Sequence, residues 1–275
     1  MTKATESSQE EVSAHIGNVV RSEINKNADY DLEEWIQSRV RISKGETVMD
    51  VGCGNGKQLA VFSDLVGETG KVIGVDIFGQ VPGLLDKARE KLSKNSNIEL
   101  LDHSASVRFP QADETFDAIT SCYSIYYVDD IRTTLREYKR LLKKGGRCFI
   151  VGPAWDNSRE FYDLNRTITG QELPKNFSER LWRINNEVVP AAYEIFRYVE
   201  ISPFVNRVFF KGEKGIKDVE EYYRATLLFQ EESEQQSKRD EYASEFVRRV
   251  RKEIEKNGRY IIYKRALGLT LKDDD

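Results

Sequence analysis

The segment that carries the most chemical information is a glycine-rich turn, Asp50-Val51-Gly52-Cys53-Gly54-Asn55-Gly56, which follows the apolar residues Val48 and Met49. Glycine adopts positive φ without strain and lets a ligand come close to the backbone, as in nucleotide sites. The glycine spacing is G-x-G-x-G, whereas the dinucleotide fingerprint is G-x-G-x-x-G. Asp50 precedes the first glycine, where a carboxylate repels a pyrophosphate and attracts a cation. The turn therefore predicts a site for a nucleoside-type ligand that carries positive charge.

A second acid, Asp76, ends the apolar run Val72-Ile73-Gly74-Val75. A carboxylate has two acceptor oxygens, which suit the two adjacent hydroxyls of a ribose. Dinucleotide enzymes place an acid in the same position, so Asp76 supports nucleoside binding without choosing between the two kinds of ligand.

Both features lie at the ends of regularly alternating strand and helix patterns. The predicted strands are Thr47–Val51, Lys71–Asp76, Ile98–Leu101, Phe116–Tyr123 and Gly146–Val151, and the predicted helices are Lys57–Val66, Val81–Ser93 and Asp130–Lys143. Because continuous apolar strands alternate with amphipathic helices, the pattern predicts an α/β fold with a doubly wound, mostly parallel sheet. Ligands of such sheets bind at the carboxyl ends of the strands, which is where the two acids fall.

The remaining segments set the expected domain organisation. Residues 1–10 are predicted to be a disordered tail, and residues 11–152 to hold N-terminal lid helices and the ligand-binding core. Residues 153–204 are rich in aromatic side chains and are predicted to form a helical substrate cap. Residues 205–272 are predicted to complete the same domain, with a strand at Val205–Lys211, charged helices and a final strand.

Three of these segments together resemble the class I S-adenosylmethionine-dependent methyltransferases. Asp50–Gly56 resembles the family's first motif, and Phe116–Tyr123 resembles its fourth strand. Arg136–Gly146 resembles its "RxLKPGG" turn, with Lys144 where proline is usual. The resemblance implies a seven-stranded sheet of order 3-2-1-4-5-7-6, with the cap inserted after strand five. It also implies S-adenosylmethionine as the methyl donor and S-adenosylhomocysteine as the product.

The resemblance assigns residues to the cofactor. The glycine turn holds the methionine end, and Asp76 holds the ribose hydroxyls. Phe78 is placed either to stack on the adenine or to pack in the core. After strand three the family often has Asp-Ala, whereas this chain has Leu101-Asp102-His103-Ser104-Ala105, so either Ser104 or Asp102 meets the adenine. The predicted cofactor-binding residues are Asp50, Gly52, Cys53, Gly54, Asn55, Gly56, Asp76, Ile77, Phe78, His103, Ser104, Ala105 and Cys122.

Catalytic candidates follow from the same resemblance. Tyr123, Tyr126 and Tyr127 come after strand four, where the family lines the methyl-transfer site. Each ring either orients an acceptor or faces the sulfonium, or else it packs under the insertion. His15, one of only two histidines, lies in the lid region and is a candidate base for an acceptor that must lose a proton. Asp156-Asn157 resembles a pair in metal-dependent catechol-type methyltransferases but stands beyond the expected strand end, so no metal site is predicted.

The composition limits the partners. The net charge of −4 gives no electrostatic footprint for nucleic acid, and the arginines Arg248, Arg249 and Arg251 are predicted to lie on a solvated helix face with interleaved glutamates. The Asn-Pro-Pro-Tyr and Pro-Cys motifs of DNA methyltransferases do not occur. A small metabolite or natural product is therefore the expected acceptor.

The composition also indicates the cellular compartment. No apolar run is long enough to span a membrane, and the three cysteines have no metal-ligand spacing, which favours a cytoplasmic protein with no membrane partner. A homodimer is compatible with the sequence. Three alternatives stay open: an RNA or protein methyltransferase, a catalytically inactive cofactor-binding scaffold subunit, and an NAD-dependent enzyme.

Overall fold

The computed structural model describes residues 24–226 and 236–273. Its strands form one seven-stranded sheet of order β3-β2-β1-β4-β5-β7-β6, which confirms the predicted topology. The strands are β1 Thr47–Val51, β2 Lys71–Asp76, β3 Ile98–Asp102, β4 Phe116–Cys122, β5 Leu142–Pro153, β6 Tyr198–Phe210 and β7 Tyr260–Lys272. Strands β1 to β5 pair in parallel, and β7 runs antiparallel to β5.

The helices of the described residues connect these strands. They are α1 Leu32–Val40, α2 Lys57–Val66, α3 Leu84–Lys91, α4 Ile131–Leu141, α5 Arg159–Thr169, α6 Lys175–Arg183, α7 Val189–Ile195, α8 Gly212–Ala225 and α9 Gln236–Asn257. Short 3₁₀ turns cover Phe78–Gln80 and Ile125–Tyr127, and a π-helical turn covers Ile184–Val188. His15 and the predicted tail at residues 1–10 lie outside the described residues.

The described chain divides into two compact units. The sheet unit comprises Leu32–Asp156, Glu179–Phe204 and residues 266–273, and the helical unit comprises residues 24–31, Asn157–Ser178 and the described part of Val205–Arg265.

The sheet unit has a hydrophobic core on each face of the sheet. On one face Met49, Val51 and Ile119 pack against Leu135 and Tyr138 of α4. On the other face Val48 and Ala118 pack with Leu59 and Phe62 of α2. Helices thus cover both faces, as the continuous apolar strands require.

The core of the helical unit is built from aromatic rings. Phe161 lies with its ring centroid 5.0–5.7 Å from those of Tyr222, Tyr223 and Phe246. The Tyr223 hydroxyl donates a 2.6 Å hydrogen bond to the buried Asn165 amide oxygen. Phe161 and its neighbour Tyr162, which belong to the predicted aromatic cap, are therefore buried packing residues.

The largest difference from the predicted elements concerns the sixth strand. It begins at Tyr198 instead of Val205, so the helical part of residues 153–204 ends with α7. Buried positions of β6 alternate through Ser202, Phe204 and Asn206. Two of these three side chains are polar, and they hide the apolar alternation from which a strand is normally predicted.

Candidate cofactor site

The three glycines of the turn after β1 differ in their surroundings. Packing requires two of them to be glycine, and the third faces open space. Gly52, Gly54 and Gly56 have φ of +79°, +57° and +77°. A Cβ on Gly52 would lie 2.2 Å from Ser124 Cβ, and one on Gly56 would lie 2.7 Å from Leu92 Cδ1. A Cβ on Gly54 would meet nothing within 4 Å. Gly54 therefore leaves room for a ligand, whereas the other two close the turn.

The Asp76 carboxylate is held in place by the backbone of the same turn. The Gly54 N–H donates to Asp76 Oδ2 and the Ile77 N–H donates to Asp76 Oδ1, each at 2.8 Å. Each carboxylate oxygen accepts one of these bonds and keeps further lone-pair capacity. The carboxylate is thus oriented to accept from two neighbouring hydroxyls, the pattern that a ribose presents.

A cavity of about 520 Å³ opens beside Asp76 at the carboxyl ends of the strands. Its volume lies in the roughly 300–1,000 Å³ range of small-molecule sites. It brings together eight of the predicted site residues: Gly52, Asp76, Ile77, His103, Ser104, Ala105, Tyr123 and Tyr127.

The loop after β3 distinguishes the two residues proposed for the adenine. Ser104 lies on the cavity wall, whereas the Asp102 carboxylate accepts a 3.1 Å hydrogen bond from the Gly79 N–H and does not line the cavity. His103 Nε2 lies 3.2 Å from the Val107 carbonyl oxygen, so backbone contacts hold the imidazole at the wall.

Several predicted site residues have packing roles instead. Phe78 is only 4% exposed and packs with Leu59 and Phe62, which favours the core role over stacking on adenine. Tyr126 is also buried in the core and does not line the cavity; its ring centroid lies 4.7 Å from that of Tyr127.

The two cysteines and the asparagine of the predicted set also lie off the cavity. Burial raises the pKa of the Cys53 and Cys122 thiols, which keeps both protonated. The Asn55 side chain is exposed and accepts a 3.3 Å hydrogen bond from Lys91. These three residues shape the turn and strand around the ligand space.

Asp50 is a buried carboxylate at the end of β1. It is 2% exposed, and Thr120 Oγ1 donates a 2.6 Å hydrogen bond to its Oδ1. Burial raises the pKa of Asp50 to about 7; the Thr120 bond opposes the rise, and the carboxylates of Asp76 and Glu33 add to it. A cationic ligand would lower that pKa again, so this side of the site favours positive charge.

Ser121, Ser124 and Tyr138 line the cavity with hydroxyls that were not predicted. Ser124 Oγ donates to the Val51 carbonyl at 2.6 Å, and it lies 2.7 Å from Ser121 Oγ. Because Ser124 has one proton, Ser121 must be the donor of that second bond, which leaves Ser124 only acceptor capacity.

The third hydroxyl belongs to Tyr138 of α4. The residue is fully buried and its oxygen makes no hydrogen bond of good geometry among the described residues, although Ser121 is near enough to oppose the rise in pKa that burial causes. The sequence signals for this group were a serine inside an apolar strand and a tyrosine on an apolar helix face.

The backbone is strained at the mouth of the cavity. Tyr123 has φ of +57° and its N–H donates to the Val151 carbonyl at 2.7 Å. A non-glycine residue in this region costs roughly 1–3 kcal/mol, and such residues concentrate at functional sites. The neighbouring Tyr127 is 59% exposed, with the Arg180 guanidinium 4.9 Å from its ring centroid.

Residues 24–226 and 236–273 contain no group of three or more His, Cys, Asp or Glu side chains placed to hold a metal ion. The Asn157 side chain, part of the Asp-Asn pair noted in the sequence, accepts a 2.8 Å hydrogen bond from the Arg265 N–H.

None of the helices in the described ranges 24–226 and 236–273 is both long and apolar enough to cross a membrane.

Comparison with known proteins agrees with this geometry. A family model described as "Methyltransferase domain" matches residues 49–150. Demethylmenaquinone methyltransferase of Bacillus licheniformis is 31% identical over 150 residues, 52% of this chain and 63% of the relative. The ubiquinone/menaquinone biosynthesis C-methyltransferase UbiE of Escherichia coli O9:H4 is 39% identical over 113 residues, 40% of this chain and 43% of the relative. The chain thus spans less than two thirds of the length of these relatives.

A solved structure extends the likeness in fold. The YcgJ protein of Bacillus subtilis superposes with a TM-score of 0.52 and 16% identity, covering 88% of this chain and 98% of that one. The family match over residues 49–150, the sheet order and the glycine turn together support the resemblance to the class I S-adenosylmethionine-dependent methyltransferases.

Proposed function

We propose that the chain transfers a methyl group from S-adenosylmethionine to a small-molecule acceptor. The observation that carries this proposal is the Asp76 carboxylate, oriented by the Gly54 and Ile77 amides beside the cavity. Gly54 leaves open space next to that carboxylate, so the residues present fit a ribose and the chain that extends from it.

The chain's own residues then have distinct roles. Asp76 accepts hydrogen bonds from the ribose hydroxyls, and the backbone at Gly54 lies against the methionine end. Ionised Asp50 supplies negative charge near the cationic part of the ligand. When bound, S-adenosylmethionine supplies a methyl group already activated by its sulfonium, so the main work of the protein is to position the acceptor in line with it.

The acceptor that fits this cavity best is a planar ring. Tyr123 and Tyr127 supply aromatic walls, and Ile125 and Val128 supply apolar ones. Burial raises the pKa of Tyr123, so its hydroxyl stays protonated and orients an acceptor as a hydrogen-bond donor. The named relatives act on demethylmenaquinone or in ubiquinone and menaquinone biosynthesis, and we extend that to a quinone-type ring methylated at carbon.

Other parts of the proposal concern the whole chain. Residues 153–204 contribute to the choice of acceptor, and His15 is a candidate base from the lid region. The cysteines Cys53, Cys122 and Cys148 are all free thiols, which suits a reducing cytoplasmic compartment. A homodimer remains a prediction that sedimentation would test.

Turnover is the test of this proposal. Purified protein would be incubated with S-adenosylmethionine bearing an isotopically labelled methyl group and a reduced demethylated naphthoquinone, and the label would be followed into the ring. Label in the quinone supports the proposal. If S-adenosylhomocysteine binds but no label moves to any quinone, phenol or amine offered, the scaffold alternative is favoured instead. Label transferred to RNA or protein would replace the acceptor class.

A further inference from the structure

An ion pair joins α1 to the glycine turn, and its two charges complement those of an amino acid. Lys57 is the first residue of α2, directly after Gly56, and its Nζ donates to Glu33 Oε1 at 3.1 Å. Glu33 lies in the first turn of α1. The pair therefore places a carboxylate and an ammonium at the start of α2, which directly follows the glycine turn.

The charge of Glu33 reaches the groups that surround this space. Burial is the main cause that raises the pKa of Asp50, of the Cys122 thiol and of the Tyr123 phenol, and the Glu33 carboxylate adds to each rise. Asp50 and Tyr123 lie at the ends of β1 and β4, beside the turn, so Glu33 belongs to the same electrostatic environment from the α1 side.

The ion pair is easily opened. The side chains of Lys57 and Glu33 are 66% and 35% exposed, and an ion pair of that exposure contributes little to stability because water and salt screen it. Exchanging the partner of either charge for a ligand charge therefore costs the folded protein little.

We propose that Glu33 and Lys57 form a clamp for the amino-acid end of the methyl donor, with Glu33 taking its ammonium and Lys57 its carboxylate. This inference rests on the proposed function and adds two residues to it. In the bound state four charges alternate in sign, and each protein charge exchanges an intramolecular partner for a ligand partner.

The experiment compares ligands with and without the amino-acid end. S-adenosylhomocysteine and 5′-methylthioadenosine share the adenosine and the sulfur, but only the first carries the ammonium and the carboxylate. Calorimetry would give dissociation constants of both for the wild type, Glu33→Gln and Lys57→Met. Each substitution is expected to raise the dissociation constant of S-adenosylhomocysteine about three- to tenfold and to leave that of 5′-methylthioadenosine unchanged. Glu200→Gln is the matched control, because it removes a different α1 ion pair, Arg39–Glu200 at 4.0 Å.

The outcomes separate the clamp from the proposed function. If the wild type binds both ligands and neither substitution changes the ratio of their dissociation constants, the clamp is wrong and the proposed function stands. If a substitution weakens the binding of both ligands equally, the clamp is also wrong, because such a result indicates a general disturbance of the site. If the wild type binds neither ligand, the proposed function itself fails.

Discussion

The Asp76 carboxylate makes the two backbone contacts that orient it and leaves lone pairs for the ribose. Asp76→Ala should therefore weaken S-adenosylhomocysteine binding by about 2–3 kcal/mol, the order expected for losing charge-assisted hydrogen bonds. Calorimetric titration measures this loss. Asp102→Ala is the control, because that carboxylate lies off the cavity and its loss should leave affinity unchanged. Full affinity in Asp76→Ala would refute the ribose assignment.

The glycines of the turn should respond differently to substitution. Gly54→Val adds atoms to the ligand space and should abolish binding. The φ of +57° at this position costs the variant roughly 1–3 kcal/mol of strain, but nothing in the protein occupies the space, so the fold should survive. Gly52→Ala should lower the melting temperature strongly, since its new Cβ would overlap Ser124. Thermal unfolding and titration of both variants measure the contrast. Normal cofactor affinity in Gly54→Val would show that the methionine end lies elsewhere.

Asp50 should make both binding and stability depend on pH. The pKa of Asp50 is raised from its ordinary value of 3.8, which applies to the unfolded chain, to about 7 in the folded chain. Between these two pH values the folded chain therefore holds a proton that the unfolded chain has lost. Stability therefore falls as pH rises through this window, whereas affinity for the cationic ligand rises as the carboxylate ionises. Asp50→Asn should unfold at a higher temperature than the wild type at about pH 8, and at the same temperature only below pH 3.8, where the carboxyl is protonated in both the folded and the unfolded chain.

Titration over the same pH range tests the binding half of this prediction. Wild-type affinity for S-adenosylmethionine should increase through about pH 7, and affinity of Asp50→Asn should stay flat. A pH-independent wild type would contradict the electrostatic role of Asp50.

The sequence predicted only some of the residues that line the cavity. Gly52, Asp76, Ser104 and Tyr123 were predicted to lie there because strand ends and turn spacing fix their positions. For Phe78 the sequence left two roles open, because sequence spacing alone does not reveal the rotation by which the 3₁₀ turn that follows β2 directs its ring into the core.

At the element scale, α4 seals one face of the sheet with a tyrosine whose hydroxyl has no well-formed hydrogen bond. Tyr138→Phe should therefore leave the melting temperature unchanged or raise it slightly, because the substitution removes a buried polar group without removing a partner. Thermal unfolding measures this, with Leu135→Ala as a control that leaves a core cavity and should be clearly destabilising. A marked loss of stability in Tyr138→Phe would mean that its hydroxyl is hydrogen-bonded in solution.

The elements differ in how well the sequence predicts them. Strands β1, β2 and β4 are buried on both faces, so uninterrupted apolar runs predicted them almost to the residue. The strand predicted for β6 was too short, because the polar residues Ser202 and Asn206 occupy buried positions. Asn206 is buried through hydrogen bonds to the Tyr30 backbone, a contact between residues 176 positions apart that no local pattern reveals.

At the scale of the whole molecule, the sheet order followed from the resemblance and is confirmed. The division into a sheet unit and a helical unit was not predicted, because aromatic and charged helices look alike whether they cover a sheet or pack among themselves. The predicted cofactor residues that line the cavity lie in short loops at strand ends, whereas the proposed acceptor side depends on helices whose packing is non-local. The sequence therefore predicts the donor better than the acceptor.

The central claim is that the cavity beside Asp76 binds S-adenosylmethionine and its demethylated product. Calorimetric titration of the purified chain with S-adenosylhomocysteine, and separately with NADH, tests it most directly. Saturable binding of S-adenosylhomocysteine that Gly54→Val abolishes, with no binding of NADH, is the predicted result. Binding of NADH, or no binding of S-adenosylhomocysteine to the folded wild type, would contradict the account.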